Sequence, residues 1–353
     1  MHFGSDNQAG ASEQIFSFLQ QANQGIEAAY GDDQWTARAV QAIKDWFEYD
    51  AEVFLVSTGT AANSMALACL CDPWDSVLCH GQAHIINDEL TAPEFFTGGA
   101  RLIGLDTQQA KLTLQTVRET LELGAAHPPH NAVPKALSLT QINESGQVYS
   151  PEEVKAFSNL AHDHGLHVHM DGARFANALE ALGCSPAELT WKAGVDVLCL
   201  GATKNGALAA EAVVFFNRTL ARHFVQHRKR SGHLLSKGRW MGAQFCGWLA
   251  DDHWRTLARQ ANQCAQSLAN AIEAHPLTHL VWPVKANELF VRLPKSLIQQ
   301  LRDDGAVFYE WPRNFVPESL IIEDDEDIVR MVTSFQTRQE DVEQFIALLN
   351  QHR

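Results

Sequence analysis

Between residues 52 and 200 short apolar runs alternate with stretches of helical periodicity, and that alternation restricts the fold more than any other feature of the chain. The runs fall at 52–56, 76–79, 101–105, 136–140, 166–170 and 195–200. Strands joined through helices lie parallel, and a parallel sheet needs helices on both faces to cover it. An α/β fold is therefore expected, with the functional residues at the carboxyl ends of the strands.

The helical signals are as specific. Pro151 suits a first turn, Glu152 and Glu153 follow it, and Gly165 is placed to stop a helix over 151–164. Apolar residues at helical spacing (Ile15, Phe18, Leu19, Ala22, then Trp35, Ala39, Ile43, Trp46, Phe47) predict two early helices. After the run at 52–56 come Ser57-Thr58-Gly59-Thr60 and an alanine-rich segment to Leu70, which reads as strand, tight turn and helix. Beyond residue 251 the pattern changes to long helices, one strand near 289–293 and an amphipathic end over 341–349. A chain of 353 residues exceeds one growing core. We expect an N-terminal arm over 1–30, a large domain over 31–250 and a small C-terminal domain over 251–353.

Composition narrows the function. Lys and Arg total 27 against 42 Asp and Glu, a net charge of -15 that repels nucleic acid and anionic membrane surfaces. No apolar stretch approaches the roughly 20 residues that span a bilayer, and Met1 to Asp6 carries no secretory pattern, so a cytoplasmic protein is expected. The seven cysteines lack C-x-x-C spacing and are read as reduced.

Two strand ends carry the chemistry. The run at 166–170 leads into Asp171-Gly172-Ala173-Arg174, and the run at 195–200 into Gly201-Ala202-Thr203-Lys204. A lysine that forms a Schiff base and a carboxylate that keeps a pyridine nitrogen protonated are what pyridoxal phosphate requires. Taken singly, Asp171 is a helix cap and Lys204 a solvated turn residue; together they are a pair. Gly59 and Thr60 open a helix, where free N–H groups suit a phosphate, although caps use the same residues. His84, with Glu89 a turn later, is either a packed imidazole, a ring-stacking group or a base. Arg228, Lys229, Arg230, Lys237 and Arg239 form a solvated helix face or a phosphate or subunit contact. His162, His164, His167 and His169 do not converge as metal ligands, because two lie near a helix end and two on one face of a strand. No metal site is expected.

With Asp171, Arg174 and Lys204 identified, the chain resembles the low-specificity L-threonine aldolases of the aspartate-aminotransferase-like superfamily, almost end to end. The matching segments are Gly4-Ser5-Asp6, Tyr30-Gly31-Asp32-Asp33, Thr58-Gly59-Thr60-Ala61-Ala62-Asn63, Ala83-His84, His169 to Arg174, and Thr203-Lys204. The resemblance implies a fold type I architecture, a mostly parallel seven-stranded sheet with a small α+β domain, and pyridoxal 5'-phosphate as cofactor. It implies Lys204 as the Schiff-base lysine with Thr203 beside it, Asp171 at the pyridine nitrogen, and His84 over the ring. Gly59 and Thr60 are implied at the phosphate. Arg174 is implied near the ring oxygen and the substrate carboxylate, and Arg330 with Ser5 as the carboxylate clamp. Arg239 and Tyr30 are implied in a site shared between subunits of a dimer, paired into a tetramer. The family's second histidine is replaced here, with Asn143 at the expected position, where it would hydrogen-bond a substrate hydroxyl but not take its proton.

The expected reaction is aldol cleavage of L-threonine or L-allo-threonine to glycine and an aldehyde, with His84, or a water it holds, as base. Its rivals are β-elimination or transamination on the same cofactor, a non-catalytic DNA-binding relative, and a histidine-metal hydrolase.

Overall fold

A computed structural model of the chain describes residues 1–124 and 130–352. Its large sheet has seven strands: β1 (Glu52–Val56), β2 (Asp75–His80), β3 (Arg101–Leu105), β4 (Val133–Thr140), β5 (His167–Gly172), β6 (Val197–Gly201) and β7 (Glu211–Phe215). They lie in the order β1-β7-β6-β5-β4-β2-β3. The pairings from β6 through β5, β4 and β2 to β3 are parallel, whereas β7 runs antiparallel to both β6 and β1. Six strands coincide, within a few residues at their ends, with the six apolar runs. The seventh, β7, was not among them: no long helix separates it from β6, so the chain turns back and pairs antiparallel. Because β1 reads against β7 and β7 against β6, the carboxyl ends of β1, β2, β4, β5 and β6 share one edge.

The covering helices follow from the sequence. Helix α1 (Glu13–Ala22) is capped by Ser12 and α2 (Gln34–Phe47) by Asp33, whose side chain accepts from Thr36 N at 2.8 Å. Helix α3 (Gly59–Leu70) is capped by Thr58, a bond of the kind that contributes about 1 kcal/mol. Its Ala61, Ala62, Met65, Ala66 and Leu67 are all buried, so α3 lies against the sheet with no solvent face along most of its length. The helix Pro151–Asp163 has the expected proline in its first turn and a capping box from Ser150 and Glu153, and Gly165 follows it at φ +72°.

A second, antiparallel sheet has the order β10-β11-β9-β8, with β8 (His279–Leu280), β9 (Glu288–Pro294), β10 (Tyr309–Glu310) and β11 (Glu326–Val332). The residues expected as an N-terminal arm are divided between the two units. His2 bridges Val307, Phe3 donates to Val307 O at 2.7 Å and accepts from Val332 N at 2.8 Å, and its fully buried ring packs on Phe345. Helix α1 packs instead on the helix Arg239–Leu249 of the large unit, and Asp251 and Asp252, both at positive φ, break the chain before the long helix His253–Ala274.

The helix Arg239–Leu249 crosses α2 at a glycine. A Cβ on Gly242 would sit 2.5 Å from Trp35 C and 2.6 Å from Thr36 N, main-chain atoms that cannot rotate away. Overpacking a core costs about 1–3 kcal/mol, and a clash with backbone belongs at the upper end. Gly242→Ala should therefore lower the midpoint of denaturant unfolding by that free energy, while an unchanged midpoint would mean that the two helices part freely.

Candidate active site

The shared strand edge opens on a cleft of about 710 Å³. Lys204 and Asp171 both line it, as do Ser5, Gly59, Thr60 and His84, and also Arg174, Thr203 and Arg330. Asn143, Tyr30 and Arg239 do not.

Glycine lets the two chemical strand ends approach each other. A Cβ on Gly201, the last residue of β6, would lie 2.8 Å from Ala173 O and 2.9 Å from Ala173 Cα. Asp171, on β5, accepts from Ala173 N at 3.0 Å through Oδ1 and from Asn63 Nδ2 at 2.8 Å through Oδ2. Asn63 Nδ2 also donates to Glu89 Oε1 at 2.9 Å, and Glu89 Oε1 lies 2.8 Å from His84 Nδ1. Four side chains thus run from the partly exposed imidazole to the buried strand end. The bond from Glu89 raises the His84 pKa, so the ring keeps its proton to higher pH. That makes it a better donor, and a less available base, than an isolated imidazole.

Lys204 sits in the 3-10 turn Thr203–Asn205 that follows β6. Thr203 Oγ1 donates to Glu211 at the start of β7, and burial pushes the Glu211 carboxyl up to about 7, against the opposing effects of the Thr203 bond and Lys204. Arg174 holds Asp6 with two nitrogens, Nε at 2.7 Å and Nη2 at 3.1 Å, and Nη2 lies 3.3 Å from Glu288 Oε1. Burial works against this guanidinium, but Asp6 and Glu288 outweigh it and hold its pKa above the ordinary arginine value. Arg330 differs. It donates to Gly4 O at 3.3 Å and lies 5.1 Å above the Trp311 ring, its Nε is buried without a partner, and among the described residues no carboxylate pairs with it. Of the two arginines expected at a substrate carboxylate, Arg174 is committed to protein acids and Arg330 is not.

The placement of Asn143 is a correction. Its Nδ2 donates to Ala110 O at 2.7 Å, and its Oδ1 accepts from Ser145 N at 3.1 Å and Gln147 N at 2.9 Å. The side chain is buried and closes its own turn, a common use of asparagine. Glu144, one residue on, lines the cleft in its place. Tyr30 is half exposed at φ +61° with Lys229 4.9 Å from its ring, and Arg239 donates weakly to Gln24 O and Gly25 O. Both lie outside this chain's cleft, Tyr30 beside the basic helix Phe224–Arg230 and Arg239 beside the turn at Gln24 and Gly25. His233 connects that surface to the cleft through a 3.0 Å contact with Ser57 Oγ.

The crowded histidines have separate partners: His162 with Asp196, His164 with Leu160 O, and buried His169 with Ser138 and Cys199. Burial lowers the His169 pKa to about 4, so its ring is neutral in the fold.

The cleft fits pyridoxal phosphate. An amine and a carboxylate face it from adjacent strand ends, and the first N–H groups of α3 have no intrahelical acceptor. A Cβ at Gly59 would meet nothing within 4 Å, so the helix end opens on free space. Sequence reasoning missed Asp6, Glu144, Glu211 and Glu288, and did not single out Asn63. Of these, Asn63 alone had a local signal, as a lone amide in an alanine-rich helix.

A family model described as beta-eliminating lyase matches residues 2–296. A low specificity L-threonine aldolase of Pseudomonas aeruginosa is 48% identical over 308 residues, covering 87% of this chain and 88% of that protein. The threonine aldolase of Leishmania major superposes with a TM-score of 0.92 at 27% identity, covering 99% of each chain. A serine palmitoyltransferase from S. paucimobilis, solved with PLP and myriocin bound, shares the fold alone, with a TM-score of 0.71 at 14% identity over 99% of this chain and 86% of that one. Fold and cleft together define a pyridoxal-phosphate-dependent lyase of fold type I. More narrowly, the chain belongs to the beta-eliminating lyase family and, within its reach, to the low-specificity L-threonine aldolases.

Asn63 Nδ2 donates to both Asp171 and Glu89. A hydrogen bond to a charged group contributes about 1.5–3 kcal/mol, and tenfold in affinity is about 1.4 kcal/mol. Asn63→Ala should therefore raise the cofactor dissociation constant at least about tenfold, followed by loss of visible absorbance on dialysis.

Proposed function

We infer that this cleft cleaves the Cα–Cβ bond of L-threonine, L-allo-threonine and related β-hydroxy-α-amino acids, giving glycine and an aldehyde. The observation that carries the reading is that Lys204 and Asp171 line one cavity with an arginine, Arg330, that no acid among the described residues pairs with. Lys204 would hold the cofactor through its amine, Asp171 would face the ring nitrogen, and His84 would cover the ring. Gly59 and Thr60 would hold the phosphate with their N–H groups, and Thr203 would fix the lysine turn by its bond to Glu211. Once bound, pyridoxal phosphate supplies an electron-poor ring that accepts the electrons of the breaking bond.

The chain's own residues select which bond that is. Arg330, assisted by Ser5, would grip the substrate carboxylate in charge-assisted bonds and so fix the amino acid's rotation about Cα. Arg174 would act one layer behind, because its fork is occupied by Asp6. Glu89 keeps the His84 ring oriented beside this position. Tyr30, half exposed, and Arg239, partly buried, both lie away from this chain's own cleft and are placed in this proposal at the cleft of a neighbouring subunit, with the protein a dimer of dimers. Among the described residues no helix is long and apolar enough to cross a membrane, and we assign the enzyme to the cytoplasm.

The test is product analysis on the purified holoenzyme. Glycine and acetaldehyde should appear in equal amounts from L-threonine, whereas a keto acid with ammonia would identify β-elimination instead. Lys204→Ala should lose activity on the order of a thousandfold together with the lysine-bound absorbance of the cofactor. Arg330→Leu should raise KM for L-threonine at least about tenfold, the loss of one charge-assisted contact. Full activity of Lys204→Ala would sink the reading.

A further inference from the structure

If the cleft performs aldol cleavage, as inferred above, some group in it must take the proton of the substrate's β-hydroxyl. Most candidates have other commitments. Glu89 Oε1 is shared between His84 and Asn63, and its side chain has no exposed surface. Both oxygens of Asp171 accept hydrogen bonds, Glu288 pairs with Arg174, and Glu211 is tied to Thr203 on the lysine's own turn. The bond between His84 and Glu89 raises the His84 pKa, which makes the neutral, proton-accepting ring less available.

Glu144 is differently placed. It lines the cleft from the turn after β4, and its Oε1 accepts the main-chain N–H of His84 at 2.7 Å. Its Oε2 is shielded from solvent and has no hydrogen-bond partner among the described residues. Glu89 Oε2 and Glu288 Oε2 share that property, but their Oε1 atoms are held by side chains, His84 with Asn63 and Arg174 respectively, whereas Glu144 Oε1 is held by a main-chain N–H. A buried acceptor left unmatched is costly, and native structures keep few of them. One oxygen anchored and the other free is also the arrangement that aims a carboxylate at a ligand.

We propose that Glu144 is the catalytic base of this enzyme: Oε2 receives the β-hydroxyl proton while Oε1 stays fixed by the His84 main chain. The O–H bond breaks, its electron pair becomes the second bond of the aldehyde carbonyl, and the Cα–Cβ pair passes to the acceptor that the cofactor provides. The proton removed from oxygen balances the one that Cα gains as glycine forms, so no oxidant or further reactant is needed.

The electrostatics suit the task. Burial and the Asp171 charge push the Glu144 carboxyl up to about 7, opposed by the bond from His84. Its charge also acts on Arg174, Tyr149 and Cys79. An acid that ionises near neutrality is a stronger base than an ordinary carboxylate and is still largely ionised just above neutral pH. Cleavage should then fall as pH drops through about 7, where Glu144 takes up a proton.

The experiment compares wild-type holoenzyme with Glu144→Gln. The variant should bind cofactor with unchanged visible absorbance and still exchange the α-proton of glycine with deuterated water, because glycine has no β-hydroxyl. Its kcat for L-threonine should fall on the order of a hundredfold or more with KM little altered, and the acid limb of the pH profile should disappear. Independently of turnover, the infrared difference spectrum between wild-type and variant holoenzyme should contain a protonated carboxyl band that is lost as the pH rises through about 7, the band of Glu211 cancelling because both proteins have it. If Glu144→Gln does not load cofactor, Glu144→Asp decides, since it keeps the charge but withdraws the acceptor oxygen: kcat falls under the proposal, and an unchanged kcat overturns it. A Glu144→Gln enzyme with kcat within a fewfold of wild type and its acid limb intact also overturns it. Failure of wild type to yield glycine and aldehyde would instead overturn the reaction itself.

Discussion

The enclosed pairing of Arg174 with Asp6 and Glu288 is the constraint on which the cleft depends. Arg174 follows β5 of the large sheet, Asp6 lies in the segment stitched to the second sheet, and Glu288 begins β9 of that sheet. A guanidinium or a carboxylate enclosed alone would be strongly unfavourable, so each member requires the others. Asn287 adds a donor to Asp6 at 3.2 Å, and the pull of Arg174 and Lys204 outweighs burial to keep the Asp6 carboxyl below its usual range. This charge cluster ties the two units at the wall of the cleft, beside the apolar packing of Trp254, Leu257 and Ala258 into the large unit's core, and Ser5 and Arg330 line the same cleft.

Around this seam the acids of the cleft are distinguished by what they touch. Asp6 and Glu288 are balanced by an arginine, and Asp171 and Glu89 by the amide of Asn63. Glu144 and Glu211 have neither kind of partner in full, and burial leaves both near 7. One cavity therefore contains carboxyl groups suited to different tasks, a separation made by hydrogen-bond partners and not by residue type.

The alternation of strands and helices was legible because a parallel sheet writes its period along the chain. The lysine and the acid were legible because both follow strands that announce themselves. What the sequence did not disclose depends on distant partners. Asp6 meets Arg174 across 168 positions and Glu288 joins them from the second sheet, and no local pattern encodes such a meeting. Asn143, expected to face a substrate, turns its side chain into its own turn while Glu144, one residue on, lines the cleft, because side-chain direction in a turn is set by the turn's own hydrogen bonds. Strand β7 was unmarked because its apolar run follows β6 without a helical spacer.

The pairing of Phe3 with Val307 and Val332 carries a consequence for how the protein is made. Ser5 and Asp6 are made some three hundred positions before the edge that fixes them, since Phe3 pairs with Val307 and Val332. Until then Arg174 has neither of its acids, and the large sheet, though complete, carries an unfinished pocket. Synthesis from the amino end thus leaves Lys204 on a partly built surface, and the pocket is closed by segments far apart in the order of synthesis.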